Sequence, residues 1–493
     1  MRNFSSSSSS ALALSFLFLF LLSSKETHCS SSRNSKLYYE LKLQHKTSFA
    51  VSNSSKSNGS RVFYPIGYGA DPTGAQDSTT AILDALNDAV RLQNGLDHLL
   101  PGITDLGGVI IDLQGGNFKI SNPIRFPPGF GNIVVQGGTL RATNTFPVDR
   151  HLIELWAPNS PKLTNKNVVM TNTFSDTRKD LNNGMQYEDI IFQDILFDSS
   201  YQGGGLLVID SARIRVNNCF FLRFSTQGIL VRRGHETFIS NSFLGQHPTV
   251  GGDHVEKSYT GTAIDIDSTD NAVTDVAIFS AAIGIILRGN ANIITGVHCY
   301  NKATYFGGVG ILVKSGQNRI VDSYLDFNSV VIEDPNQVHV SNGFFLGDGN
   351  IVLKSIQGRI TGLNIVNNVF SGDPKNMVPC VKLDGEFKNI DQVVIDGNVV
   401  NGMRLKSTVG KLAVAGNGTK WVADFGSVLL FPDKINHFQY SFYVRGGGIG
   451  GGLPVHAVTN VSNNVVVIES KEVADAVVSV FVDQFNMVGE GNL

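Results

Sequence analysis

GILVRR (Gly228–Arg233), AIDIDS (Ala263–Ser268), GIILRG (Gly284–Gly289), GILVKS (Gly310–Ser315) and NIVLKS (Asn350–Ser355) share one pattern: a small or polar residue, then apolar, variable, apolar, charged. In a strand this alternation puts Ile229/Val231, Ile264/Ile266, Ile285/Leu287, Ile311/Val313 and Ile351/Leu353 on one face. VVIED (Val330–Asp334) fits between the last two. A second set follows the first: IIFQDILF, IRVNNCFF, FISNSFL, AVTDVAIF, IITGVHCY, RIVDSYL and HVSNGFFL. Its turn residues recur at Asp194, Asn218, Asn241, Asp275, Gly296, Asp322 and Asn342, in steps of 20 to 26 residues apart from one of 34.

Such steps are too short for a βα unit and too regular for a sandwich, whereas a coil of two or three short strands satisfies both. The expected fold is all-β: a right-handed parallel β-helix whose stacked coils bring equivalent residues into columns about 4.8 Å apart. With 493 residues, 16% charged and 52 glycines, the composition suits a turn-rich β protein. The formal net charge of -3 supplies no basic field for nucleic acid.

The domain expectations follow from composition shifts. ALALSFLFLFLL (Ala11–Leu22) has the length of a secretory h-region, so residues 1–29 read as a signal peptide and no membrane anchor remains after its removal. Residues 30–60 form a flexible Ser/Asn-rich lead-in. The β-helix runs over 61–404, opened by a capping helix in which Ala81, Leu83, Leu86 and Val90 share a side and Asp77 or Ser78 caps the first turn. Residues 405–493 form a β-rich C-terminal cap. Cys29 leaves with the signal, and Cys219, Cys299 and Cys380 are too scattered for a disulfide framework or a zinc site. Sequons stand at Asn53, Asn58, Asn417 and Asn460.

Aligned coils predict two outward columns. One holds Arg232, Asp267, Arg288, Lys314, Glu333 and Lys354; the other holds Leu230, Asp265, Ile286, Leu312, Val331 and Val352. Asp265 is the single charge among apolar neighbours and reads as a general acid, while Asp267 between two arginines reads as the ionised base. Asp270, at the turn, is a third candidate. Carboxylates at i and i+2 of a strand share a face with backbones roughly 6.5 to 7 Å apart, a spacing that glycoside hydrolysis uses. Arg232, Arg288 and Lys314 suit a polymer bearing carboxylates. Solvation of an outward sheet face explains the same charges without chemistry. Asn271, Asn292 and Asn318 occupy equivalent corners and should stack as an amide ladder. The insertion GQHPTVGGDHVEKSYT, with His247, Asp253, His254, Glu256, Lys257 and Tyr259, would wall the charged face; its histidines lack metal-ligand spacing, and no metal site is expected.

YGADPTGAQDSTTAILDAL (Tyr68–Leu86) and the coils that follow resemble the pectin-degrading right-handed β-helix superfamily. Over residues of about 60 to 400 the chain is most similar to the QUARTET class of plant polygalacturonases, grouped with glycoside hydrolase family 28. That resemblance implies a secreted, cofactor-free, monomeric enzyme acting on polyanionic cell-wall pectin and cleaving α-1,4-galacturonan with inversion. Typical members carry Asn-Thr-Asp, paired aspartates, Gly-His-Gly and Arg-Ile-Lys. Here Ser268-Thr269-Asp270 is similar to the first, the following coils lack the second and third, and Gly358-Arg359-Ile360 lacks the lysine. Two alternatives stand beside hydrolysis. A calcium-dependent lyase would use Asp265, Asp267 and Asp270 as ligands with Arg288 or Lys314 as base; a non-catalytic wall-binding β-helix would use the same charges to bind alone.

Overall fold

The computed structural model describes residues 61–92, 99–158, 184–246, 259–300, 308–445 and 452–486. The readings on residues 1–60, on Cys29, Asn53 and Asn58, and on His247, Asp253, His254, Glu256 and Lys257 lie outside them. The chain winds as a right-handed parallel β-helix. Strands such as Gln227–His235, Thr262–Thr269, Ile283–Leu287, Val309–Val313, Ser329–Glu333 and Ile351–Lys354 pair in parallel to build a first face. A second face stacks Phe238–Ser240, Ala272–Thr274, Ile293–Thr295 and Arg319–Val321. A third stacks Phe243–Gly245, Ala277–Phe279, His298–Tyr300 and Tyr324–Asp326.

The aligned alternation holds in the register. Ile229, Ile264, Ile285 and Ile311 pair in sequence along the first face and are all fully buried. Val231, Ile266, Leu287 and Val313 form the next inward column. Each such side chain contributes about 1.5 to 3 kcal/mol by leaving water, so the axis of the solenoid is one continuous apolar column.

The recurring Asn, Asp and Gly corners have a backbone cause. Asp194, Asn218, Asn241, Asp275, Gly296, Asp322 and Asn342 all sit at positive φ, between 49° and 61°, where the second face turns into the third. L-residues enter that left-handed region at a cost that Gly avoids and that Asn and Asp tolerate best. At Gly296 a Cβ would also meet the Asp275 Oδ1 at 2.4 Å. The recurrence is therefore a steric signature of the corner.

At the corner between the first and second faces the amide ladder forms as expected. Asn271 Nδ2 donates to Asn292 Oδ1 at 2.8 Å and Asn292 Nδ2 to Asn318 Oδ1 at 3.1 Å. The backbone N–H groups of Thr237, Asn271 and Asn292 donate to the same series of amide oxygens. All three asparagines are buried.

The ends are closed differently. Helix Thr79–Ala89 buries Ala81, Ile82, Ala85, Leu86 and Ala89 against the first strands, so the packed stripe is Ile82-centred and leaves Leu83 and Val90 only half-buried, which corrects the expected side. Ser78 is the N-cap residue but makes no side-chain cap bond; Asp77 instead accepts from the Thr79 hydroxyl at 2.7 Å and from the Ser121 backbone at 3.0 Å. At the other end an antiparallel sheet of Val409–Asp424, His437–Val444, His456–Ser462 and Val465–Asp483 carries a separate apolar cluster around Trp421. Leu430 and Phe431 pass from it into the solenoid core. Cys219, Cys299 and Cys380 are buried thiols outside any disulfide among the described residues.

Candidate active site

The first face projects the two outward columns. Leu230, Asp265, Ile286, Leu312, Val331 and Val352 pair coil by coil, so Asp265 is the one charge in that series. Its partner comes from the neighbouring column. Arg288, one coil on, donates Nε to Asp265 Oδ1 at 2.8 Å and Nη2 to Oδ2 at 3.0 Å. These bonds, and beyond them the charges of Asp265, Asp267 and Glu333, hold the half-buried guanidinium above its ordinary pKa against the opposing effect of burial. Gly289 lets the chain come this close: a Cβ there would lie 2.0 Å from the Ser268 carbonyl oxygen. Arg288 thus serves Asp265, where the columns had placed it beside Asp267; a long side chain reaches diagonally, and the buried carboxylate gains more from pairing than an exposed one does.

Asp267 pairs across the ladder with Arg232, as the columns required. It is exposed and makes no ion pair among the described residues. Arg232 is half-buried, and its Nε has no hydrogen-bond partner among the described residues. Lys314 is exposed and joins Glu333 at 3.2 Å, which Lys354 approaches from the other side at 3.3 Å. The expected basic ladder is consequently interrupted by Asp267 and Glu333, and Arg232 is the cation in it that makes no ion pair among the described residues.

Asp270 lies exposed at the corner with φ 58°, and Thr269 Oγ1 donates to its Oδ2 at 3.3 Å. Its conformation repeats in the next coils at Ala291 and Gln317, φ 59° and 60°, so the corner itself is general and only the carboxylate is particular. Ser268 is buried and accepts from Asn271 Nδ2 at 2.9 Å, which ties the aspartate corner to the amide ladder. The site is therefore joined by hydrogen bonds to the buried amide ladder of the solenoid.

Over 438 residues the chain is 50% identical to Polygalacturonase QRT3 of Arabidopsis thaliana, covering 86% of this chain and 85% of that protein. The chain belongs to the polygalacturonase QRT3 family. No family model matches the sequence. Among solved structures, ORF18 of Geobacillus virus E2 aligns with TM-score 0.49 and 11% identity over 84% of this chain and 78% of that one. PfbA, a surface adhesin of Streptococcus pneumoniae, aligns with TM-score 0.47 and 10% identity over 83% and 98%.

In this member of the QRT3 family two arginines that are adjacent in sequence diverge. Arg232 stays on the first face, while Arg233, at φ 47°, turns back to Asp210 with Nε–Oδ1 2.7 Å and Nη2–Oδ2 2.9 Å. That bond and the Arg288–Asp265 pair have the same atoms and the same 23-residue separation. Sequence reading missed the device because Asp210 and Arg233 lie outside the aligned columns. It also passed over His235, which pairs with Thr269 across the ladder and whose Nδ1 lies 3.5 Å from Glu236. Among the described residues no three of His, Cys, Asp and Glu are grouped as a metal site.

Proposed function

We propose that this QRT3-family protein is a secreted glycoside hydrolase that cleaves the α-1,4-galacturonan of cell-wall pectin by inverting hydrolysis. One observation carries the choice of residues. Of the three aspartates on the charged strand, Asp265 is buried with both oxygens bound by Arg288, while Asp267 and Asp270 are exposed and free of ion pairs among the described residues. Asp267, with the guanidinium of Arg232 beside it on the ladder, is the general base that activates water. Asp270 is the acid that protonates the leaving oxygen. Asp265, expected from its apolar column neighbours to be the acid, has both oxygens bound by Arg288 and is instead a positioning residue acting through that arginine. Arg232, Arg288 and Lys314 line the substrate's carboxylates, with Arg232 the one of the three that makes no ion pair among the described residues.

β-Elimination has one observation in its favour: Arg232, next to Asp267, makes no ion pair among the described residues, which makes it a base candidate beside Arg288 and Lys314. Its calcium version needs Asp265 as a ligand, and Arg288 already occupies that carboxylate. De-esterified polygalacturonan assayed for reducing ends and for ultraviolet-absorbing unsaturated ends separates the readings. Hydrolysis yields the first without the second, elimination yields both, and a wall-binding protein yields neither. Appearance of unsaturated ends at the rate of reducing ends would refute the hydrolase.

A further inference from the structure

Earlier on the same face stands a cation–aromatic cluster that the reaction above leaves unused. Glu154 is fully buried and accepts from Arg150 through Nε at 2.7 Å and through Nη2, and from Arg125 Nη2 at 3.2 Å. Both guanidinium carbons lie over the Trp156 indole, 4.8 and 5.2 Å from the ring centroid, within cation–π range. One carboxylate against two guanidiniums leaves one formal positive charge. The second amino group of each arginine has no hydrogen-bond partner among the described residues, and the side chains of Arg125 and Arg150 remain 39% and 26% accessible.

Register ties the cluster to the aspartates. Glu154 pairs with Leu207, Leu207 with Leu230 and Leu230 with Asp265, three steps that span about 14 Å at the ladder spacing. A comparable buried carboxylate, Asp198, takes Arg141 and Arg223, but it pairs with Leu222 on the third face and neither arginine lies over an indole. Asp198 thus shows what the pairing does for the fold alone.

We propose that Arg125 and Arg150, held in plane by Trp156, form a distal subsite that takes the carboxylate of one uronate ring when an oligomer long enough to cover three coils lies along the first face. It rests on the reading of an acidic polysaccharide as ligand. The subsite discriminates a free carboxylate from its methyl ester, because the ester removes the charge that the excess guanidinium answers.

The chain has two tryptophans and Trp421 is buried in the C-terminal sheet, so Trp156 emission reports the cluster. The test titrates the Asp267→Asn protein with oligogalacturonates of increasing length, with Arg125→Gln added, Trp156→Phe to assign the signal and Arg141→Gln as the fold control. Expected are an emission change only with the longer oligomers, a tenfold or greater affinity loss in Arg125→Gln for those oligomers alone, and no effect of Arg141→Gln. Equal weakening of short and long oligomers by Arg125→Gln, no weakening at all, or a signal that survives in Trp156→Phe overturns the subsite. Length-dependent binding without hydrolysis by the wild-type protein sinks the hydrolase reading and leaves the subsite standing. Hydrolysis without any Trp156 response does the reverse.

Discussion

Arg288 grips Asp265 by one edge of its guanidinium, Nε to Oδ1 at 2.8 Å and Nη2 to Oδ2 at 3.0 Å, from the next coil of the solenoid. Because Asp265 is 3% exposed, its carboxylate has no water to fall back on. Removing either partner leaves a buried group uncompensated, a loss of about 3 kcal/mol, the low end for breaking such a pair because Arg288 keeps some solvent. Chemical denaturation of Asp265→Asn and Arg288→Gln should show that loss, and the double variant should be less destabilised than the sum of the two. Additive losses would show that the pair is not the source.

The amide ladder should be equally intolerant. Asn292 Oδ1 accepts both the Asn271 amide and the Asn271 backbone N–H, and Asn292 is fully buried. Asn292→Ala orphans both donors, at a cost of at least about 2 kcal/mol. Thermal unfolding should place it well below Lys388→Ala, an exposed residue outside the left-handed corners.

At the left-handed corners the expected effect is conformational. Asp322 holds φ 50°, so Asp322→Val should lose about 1 to 2 kcal/mol, whereas Asp322→Gly should change stability by less than about 0.5 kcal/mol. A Val as stable as the Gly would mean the corner relaxes out of the left-handed region.

Acid should unfold the protein in part through His298. Burial pushes its imidazole from 6.5 down to about 4, while the ring stays packed between Phe279 and Tyr324. Between those two values the unfolded chain binds a proton that the folded one does not, so stability falls as pH falls from about 6.5 towards 4. His298→Phe keeps an aromatic in the stack and should flatten that limb of the stability–pH curve. An unchanged slope would remove His298 as a cause.

The fold was legible because one physical requirement wrote each pattern: burial wrote the Ile229–Ile264–Ile285–Ile311 column, and left-handed corners wrote the Asp194-to-Asn342 recurrence. Column alignment also placed Arg232 opposite Asp267. It failed where a side chain reaches between columns, since backbone register cannot say that Arg288 bends to Asp265. The helix face was misjudged for a different reason: small residues such as Ala85 and Ala89 are fully buried yet carry little hydrophobic signal. Glu154 and its arginines escaped notice because they stand before the first recognisable repeat.

The division of labour between the two strand aspartates is the central claim, and one paired measurement tests it. Reducing-end release from de-esterified polygalacturonan is compared with the thermal midpoint for Asp267→Asn. The expected result is a rate loss of about 100-fold or more at an unchanged midpoint, since Asp267 is exposed and without an ion pair among the described residues. Full hydrolysis by a folded Asp267→Asn protein would contradict the account.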